Sequence, residues 1–376
     1  MSHIRLAGLL ALTLLACMGW NAVQAGEAGR GEEHHLLYVA APGIRDDLAV
    51  GGAGILVFDV DRGHAFVKRI PTPASERKKP ENIKGICAYA ANRRLYFTTL
   101  TKLYCLDLEK EICIWEKALP GGCDRLEITA DGRQLYVPSL EGPHWNVVDA
   151  GTGDLLTRIE TKSGAHNTIC SLDGARAYLA GLSSPWLTVI DTKTRQVVQK
   201  VGPFSAPIRP FTVNAALTRC YVNVNGLLGF EIGDLTTGKM VERVEVQGFR
   251  MGSTKRHGCP SHGVGLTPDE HEVWVCDAFN RRVHVFDLTT APPKQLSSVP
   301  LREEPGWVTF SLDGRFAYPS TGEVVEVKTK KIVAALQDEM GRQVHSEKLL
   351  EIDFRDGVPI RNSSQFGLGR AGRAAD

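Results

Sequence analysis

Charged and imidazole side chains recur at one position of a repeated pattern in this chain, the residue that opens a short apolar strand. These residues are Lys84, Asp124, His166, Arg209 and His262, and a further histidine, His345, stands near the start of the last strand-like segment. Fixed cations and protonatable histidines in one place favour binding of a carboxylate or phosphate through charge-assisted hydrogen bonds. Whether these side chains meet depends on the fold that positions them.

Three segments show the pattern most clearly. They are DRLEITADGRQLYVPSLEGPHWNVVD from Asp124, HNTICSLDGARAYLAGLSSPWLTVID from His166, and HGVGLTPDEHEVWVCDAFNRRVHVFDL from His262. In each, an Asp stands seven residues after the opening residue, in a turn between two strand-like runs. Weaker copies begin at Lys84, Arg209 and Gly306. Self-similarity at a period of roughly 40–50 residues, with four strands per unit, predicts an all-β propeller.

The predicted propeller spans residues 34–355 and has seven blades of four antiparallel strands. Blade one begins with only three strands, and blades two to seven occupy roughly Ile83–Lys117, Asp124–Glu160, His166–Val201, Arg209–Val246, His262–Val299 and Trp307–Leu336. The segment Val344–Phe354 has no partner left in blade seven. We expect it to close the ring as the innermost strand of blade one, because closure leaves no open sheet edge. Residues 356–376 are expected to form a flexible tail.

The strand-end triplets Tyr136-Val137-Pro138, Tyr178-Leu179-Ala180 and Tyr221-Val222-Asn223, with the SLDG, TADG and TPDE turns, carry a family resemblance. The chain resembles the YVTN-repeat seven-bladed propellers, which overlap with the quinoprotein amine dehydrogenase-like and cytochrome d1-like propellers. The resemblance implies the fold over residues 34–355. It implies no single activity, because this fold hosts binding proteins, lactonases, lyases and dehydrogenase subunits.

In propellers of this kind, the innermost strands begin at the face where the loops between second and third strands emerge. The strand-opening residues named above should therefore ring one mouth of the central channel, with His144, Trp186, Asp277, Arg281 and Trp307 around them. Two interpretations stay open: a site for a small anionic ligand, and a solvated mouth or surface for a protein partner. If an anion binds, we expect the histidines to strengthen binding as the pH falls from about 8 to 6.

Catalytic and metal chemistry find less support. The blades of His166 and His262 are two apart, which disfavours a shared metal, and no cofactor motif is present. No G-x-S-x-G, H-E-x-x-H or phosphate-loop motif occurs. The alternative is a lactonase- or lyase-like enzyme that uses the mouth histidines as acid and base. Whether the protein is an enzyme stays open.

The N-terminal residues 1–25 indicate export. Arg5 precedes an apolar run, Leu6–Met18, and Val23-Gln24-Ala25 offers small residues for cleavage. A lipobox-like sequence ending at Cys17 is an alternative that would anchor the protein by a lipid. Residues 26–33 are expected to be a disordered lead. The protein should then be periplasmic or extracellular, without a transmembrane segment in the mature chain.

Composition adds several expectations. The net charge of +1 gives no reason to expect nucleic acid as a partner, and we expect a monomer. Export would permit disulfides among the nine cysteines, with Cys105–Cys113 and Cys259–Cys276 as candidate pairs. His64, His271 and His284 are expected at the surface, on turns or outer strands.

Overall fold

A computed structural model describes residues 32–255 and 259–372. The expected signal peptide, the lipid site at Cys17 and all of the N-terminal lead before Glu32 lie outside these ranges. The described chain is a seven-bladed β-propeller, as predicted, in which six sheets have four strands and one has five. All strand pairs in these sheets are antiparallel; the helical element is one 3-10 turn, Ala90–Asn92.

The sheet of blade one combines both ends of the propeller. Its strands are β1 (Glu33–Ala41), β2 (Gly54–Asp59), β3 (Ala65–Ile70), β28 (Leu349–Arg355) and β29 (Val358–Asn362). The order is β29-β28-β1-β2-β3, and β28 pairs with β1 from Leu349 opposite Val39 to Arg355 opposite Glu33. The predicted closure by the C-terminal strand is therefore confirmed. The expectation that this strand is the innermost one of blade one is wrong, because the hairpin partner β29 lies inside it.

The other six blades each use four consecutive strands. Blades two to four contain β4 (Ile83–Tyr89), β5 (Arg94–Thr99), β6 (Lys102–Asp107), β7 (Cys113–Ala118); β8 (Glu127–Ile128), β9 (Gln134–Pro138), β10 (His144–Asp149), β11 (Leu155–Glu160); and β12 (Ala165–Cys170), β13 (Arg176–Gly181), β14 (Leu187–Asp191), β15 (Gln196–Val201). Blades five to seven contain β16 (Ile208–Val213), β17 (Arg219–Val224), β18 (Gly229–Asp234), β19 (Lys239–Glu245); β20 (Val264–Leu266), β21 (Glu272–Asp277), β22 (Arg282–Asp287), β23 (Lys294–Pro300); and β24 (Val308–Phe310), β25 (Phe316–Pro319), β26 (Glu323–Glu326), β27 (Lys331–Ala335). The first strand of each lies innermost.

Short side chains in the turns explain why the repeat is visible in the sequence. In blades three, four, six and seven, a Ser or Thr hydroxyl donates to the turn Asp two residues later, at 2.6–2.7 Å. At the end of the third strand, Asp107, Asp149 and Asp234 each accept two backbone N–H groups of the following turn. These carboxylates replace missing backbone partners, so they stabilise the hairpins rather than bind a ligand.

The apolar core lies in the seams between neighbouring blades. Tyr38, Val57 and Phe97, for example, pack in the seam between blades one and two, and corresponding clusters fill the other seams. Full burial of such a side chain contributes about 1.5–3 kcal/mol. This packing fixes the ring of inner strands and hence the position of the residues at the channel mouth.

The expectation of a flexible tail is wrong for residues 358–370. After β29, the segment Ser363–Leu368, here called the channel plug, enters the central channel and is buried. Gly367 O accepts from Leu266 N at 2.9 Å and from the hydroxyl of Thr212. A Cβ at Gly367 would lie 2.8 Å from Gly265 Cα, so glycine permits this close approach. Gly367 therefore permits the channel plug to pack tightly against the inner strands.

Two of the histidines expected at the surface are buried. His284 is fully buried, with Nε2 3.0 Å from Asp277 Oδ2 and Nδ1 2.8 Å from Ser298 Oγ. His64 Nε2 lies 3.1 Å from the Tyr318 hydroxyl, across the seam to blade seven. Both side chains exchange water for internal hydrogen bonds, which an alternating strand pattern does not reveal. His271 is exposed, as expected.

The described cysteines are all free thiols, so neither candidate disulfide is present in the structure. Cys105 stands opposite Trp115, whereas Cys113 stands opposite Leu106, across an irregularity in the register of blade two. Within the described ranges, no helix has the length and apolar character needed to cross a membrane.

Candidate functional site

The inner strands begin at one face of the ring, called here the upper face, and enclose a cavity of about 200 Å³. Four of the predicted site residues line this upper cavity: Lys84, His166, Arg209 and His262. The polar side chains of the wall that were not predicted from the sequence are Arg45, Asn82, Arg125, Glu141, Glu347 and Lys348. Five basic side chains thus face two carboxylates in the wall, which gives the cavity a positive electrostatic character.

Asp124 lies behind the wall and organises it. Its side chain is fully buried, with Oδ2 2.6 Å from His166 Nδ1 and Oδ1 3.3 Å from Lys84 Nζ. Burial alone would raise the pKa of Asp124, but its contacts with His166 and Lys84 outweigh burial and lower the pKa. Asp124 therefore stays ionised and orients two residues of the cavity rather than a ligand.

His166 is held between a carboxylate and a guanidinium. Arg125 Nη1 lies 3.3 Å from His166 Nε2, and a guanidinium can only donate. His166 therefore carries its proton on Nδ1, which donates to Asp124, and Nε2 accepts from Arg125. Burial lowers the pKa of His166 against the opposing effect of Asp124. Burial therefore disfavours the positive charge that was expected on this histidine at the lower end of the pH range.

Arg125 is the centre of a second group of contacts. Its guanidinium pairs with Glu347 and lies 4.2 Å from the ring centroid of Trp307, in a cation–π contact. Trp307 Nε1 donates to Gln365 O of the channel plug at 2.6 Å. The plug is thereby linked through Trp307 to a cation in the wall of the upper cavity.

Glu347 and Lys348 come from the segment that leads into β28. Glu347 Oε2 lies 3.0 Å from Lys348 Nζ, which also donates to Gly43 O at 2.6 Å. Burial lowers the pKa of Lys348 to about 7, because the attraction of Glu347 only partly offsets it. Arg125 and Lys84 lower it further. The charge of Lys348 therefore changes near neutral pH.

The remaining predicted residues occupy other places. His345 is buried but does not line the upper cavity. Trp307 acts through Arg125, as described, whereas His144, Trp186, Asp277 and Arg281 lie outside the wall. His144 Nε2 is 3.1 Å from Pro120 O, and Asp277 contacts His284. Trp186 is half-buried before β14, and Arg281 is exposed in the turn before β22. Of the loops between second and third strands, those of blades three and four contribute Glu141 and Leu182 to the wall, in place of the predicted loop residues.

Signals for part of the missed set were present in the sequence. Arg125 follows the strand-opening Asp124 directly, and the segment HSEK before β28 is strongly polar for the start of an inner strand. Among the described residues, no group of three or more His, Cys, Asp and Glu side chains is arranged to hold a metal ion.

The opposite, lower end of the channel contains a second cavity, of about 650 Å³. It is lined by turn residues such as Pro268 and by Glu351, Asp353 and Arg361. Burial and the neighbouring Asp353 raise the pKa of Glu351 well above its usual value, whereas Asp353 Oδ2 forms an ion pair with Arg361 Nη2 at 2.8 Å. These groups belong to β28 and β29, so the same chain segment serves both ends of the channel.

Comparison with known proteins assigns the chain to no family. No family model matches the sequence, and a search of curated proteins returns no match. The seven-bladed propeller is shown by the structure, and the likeness to YVTN-repeat propellers remains a resemblance.

Proposed function

We propose that the protein is an exported propeller that binds a small carboxylate or phosphate in the upper cavity. The observation that carries this proposal is the concentration of five basic side chains around a space of about 200 Å³. That volume is below the ~300–1,000 Å³ of pockets for drug-sized ligands, so the ligand is small. Guanidinium groups bind carboxylates and phosphates through paired hydrogen bonds.

The wall is suited to recognition because its cations are pre-positioned. Arg125 is held by Glu347 and Trp307, and Arg209 Nε donates to Asn225 Oδ1 at 2.6 Å. Groups that are already ordered lose little side-chain entropy when a ligand binds. Protonation of Lys348 adds a positive charge as the pH falls through about 7, so an anion should bind more tightly at pH 6 than at pH 8.

The contacts of His166 favour binding over histidine-based acid–base catalysis. A general base needs a ring nitrogen within hydrogen-bond reach of the substrate proton. His166 Nε2 already accepts from Arg125, and Nδ1 donates to Asp124. The lactonase- or lyase-like alternative would therefore need His262 or another group as its base.

The test is calorimetric titration at pH 7 with acetate, lactate, pyruvate and inorganic phosphate. Arg209→Gln should weaken binding about tenfold or more, because a hydrogen bond to a charged group contributes about 1.5–3 kcal/mol. Arg281→Gln is the matched control, since Arg281 is an exposed arginine outside the cavity wall. Equal losses in both variants, or no binding of these anions, would contradict the proposal.

The export part of the proposal rests on residues 1–25 and has a separate test. N-terminal sequencing of the mature protein from the producing cell should give a start near Gly26. A lipid-modified start at Cys17 would favour the anchored alternative, and an intact Met1 would exclude both.

A further inference from the structure

The amine of Lys348 is a nucleophile that anion binding does not require. The side chain is 4% exposed, yet it lies in the wall of the upper cavity. Its contacts with Gly43 O and Glu347 Oε2 hold Nζ in place. A lysine amine has three positions for hydrogens or its lone pair, so two contacts leave one position for a ligand.

The surroundings of Lys348 favour the unprotonated amine near neutral pH. Burial lowers its pKa to about 7, with Glu347 opposing this and with Arg125 and Lys84 adding to it. The other ionisable groups of the same wall are Arg45, Glu141, His166, Arg209 and His262. Desolvation and neighbouring cations are the general means by which a lysine becomes a nucleophile for carbonyl groups.

A ligand with a carboxylate beside a carbonyl would bind the arginines through its carboxylate and present its carbonyl carbon to the Lys348 amine. We propose that Lys348 forms an imine with a small 2-oxo acid whose carboxylate is bound by the arginines of the upper cavity. This inference rests on the proposed anion site. Nζ attacks the carbonyl carbon, a C–N bond forms, the nitrogen loses both hydrogens, and the carbonyl oxygen leaves as water. The step therefore needs no oxidant or reductant.

The experiment uses pyruvate with sodium cyanoborohydride, which delivers hydride to the C=N bond and makes the adduct permanent. Peptide mapping of the full-length protein should place the adduct on Lys348, with more labelling at pH 8 than at pH 6 under equal reductant activity. Lys348→Arg, which keeps a positive charge, should abolish labelling at this position. Lys200→Arg on the exposed face of β15 is the control and should leave it unchanged. No adduct on Lys348, or equal labelling of Lys84 and Lys200, would overturn the inference.

A second measurement separates this inference from the anion site and does not need a variant to fold. Lactate has the carboxylate of pyruvate but no carbonyl, so it should bind without reacting and protect Lys348 of the wild-type protein from labelling. If lactate and pyruvate bind with equal affinity and Lys348 stays unlabelled, the imine inference is wrong and the anion site still stands. If neither anion binds by calorimetry, the anion site fails as well.

Discussion

Both ends of the central channel bury carboxyl groups, but the pKa of the buried carboxyl is lowered at the upper end and raised at the lower end. At the upper end, Asp124 remains ionised beside Lys84 and His166, and Lys348 has a lowered pKa among cations. At the lower end, burial and a like-charged neighbour raise the pKa of Glu351. At the upper end, Asp124 stays charged because Lys84 and His166 contact it. At the lower end, Glu351 loses its charge by binding a proton.

The difference shows that the closing segment has two roles. Residues before β28 supply Glu347 and Lys348 to the upper cavity, and β28 itself supplies Glu351 and Asp353 to the lower cavity. Ring closure therefore does more than cover a sheet edge, since it also completes both sets of charged groups. Removing one partner from the ion pairs of the upper cavity should lower the stability of the fold strongly, because the other partner is left as an uncompensated buried charge.

Matched amide substitutions should show the largest difference between the two ends. Asp124→Asn removes the carboxylate that compensates Lys84, and we expect a loss of about 3–5 kcal/mol in the free energy of unfolding. Glu351→Gln replaces a protonated carboxyl by a group of similar shape, and we expect a loss below about 1.5 kcal/mol. Urea unfolding at pH 7, with an unchanged m-value, measures both. Similar losses at the two ends would contradict the comparison.

The parts of the structure that could be predicted from the sequence are those that repeat from blade to blade. The turn aspartates repeat because every hairpin needs the same backbone partners, so the blades and their register could be predicted. The positions of Lys84, His166, Arg209 and His262 in the cavity wall followed from that register. Whether they bind a ligand stays a prediction.

Features outside the repeat could not be found in this way. Lys348 lies in the closing segment, which has no equivalent in the other blades, and Arg125 points into the cavity although Asp124 holds the repeated position. The burial of Gln365 depends on hydrogen bonds to three different inner strands or their starts, through Ile86, Leu126 and Trp307. Such contacts between distant segments leave no local periodicity.

The pH dependence of stability should differ in sign between the ends. The pKa of Lys348 is about 7 in the folded protein and about 10.4 when unfolded, so the unfolded state binds more protons between these values. Stability should therefore rise by about 1.4 kcal/mol per pH unit from this group above pH 7. Glu351, with a raised pKa, acts oppositely: the folded state binds the extra proton, and stability falls as the pH rises above about 4.3.

Difference curves isolate these two contributions from the rest of the protein. Wild type minus Lys348→Met should rise between pH 7 and 10, and wild type minus Glu351→Gln should fall from about pH 4.5 upwards. Glu127, with a pKa raised to about 7, shares the second trend but remains in both proteins of each pair. Asp353 interacts directly with Glu351, so the change in its titration contributes to the Glu351→Gln difference curve. Two flat difference curves would mean that neither group is perturbed by folding.

The smallest expected effect concerns the channel plug, which lies between the two cavities. Gly367→Val adds atoms where a Cβ already approaches Gly265 Cα to 2.8 Å, so the plug should leave its place. Trp307 then loses its hydrogen bond to Gln365 O, and the cation–π support of Arg125 becomes less ordered. One neutral hydrogen bond contributes about 1 kcal/mol, so anion affinity at the upper cavity should fall about fivefold. Gly151→Val, in the exposed turn after β10, is the control, because Gly151, like Gly367, has no positive φ and a Cβ there would approach only the Asp149 side chain, at 3.3 Å. An unchanged affinity in a folded Gly367→Val protein would show that the upper cavity positions Arg125 through Glu347 alone.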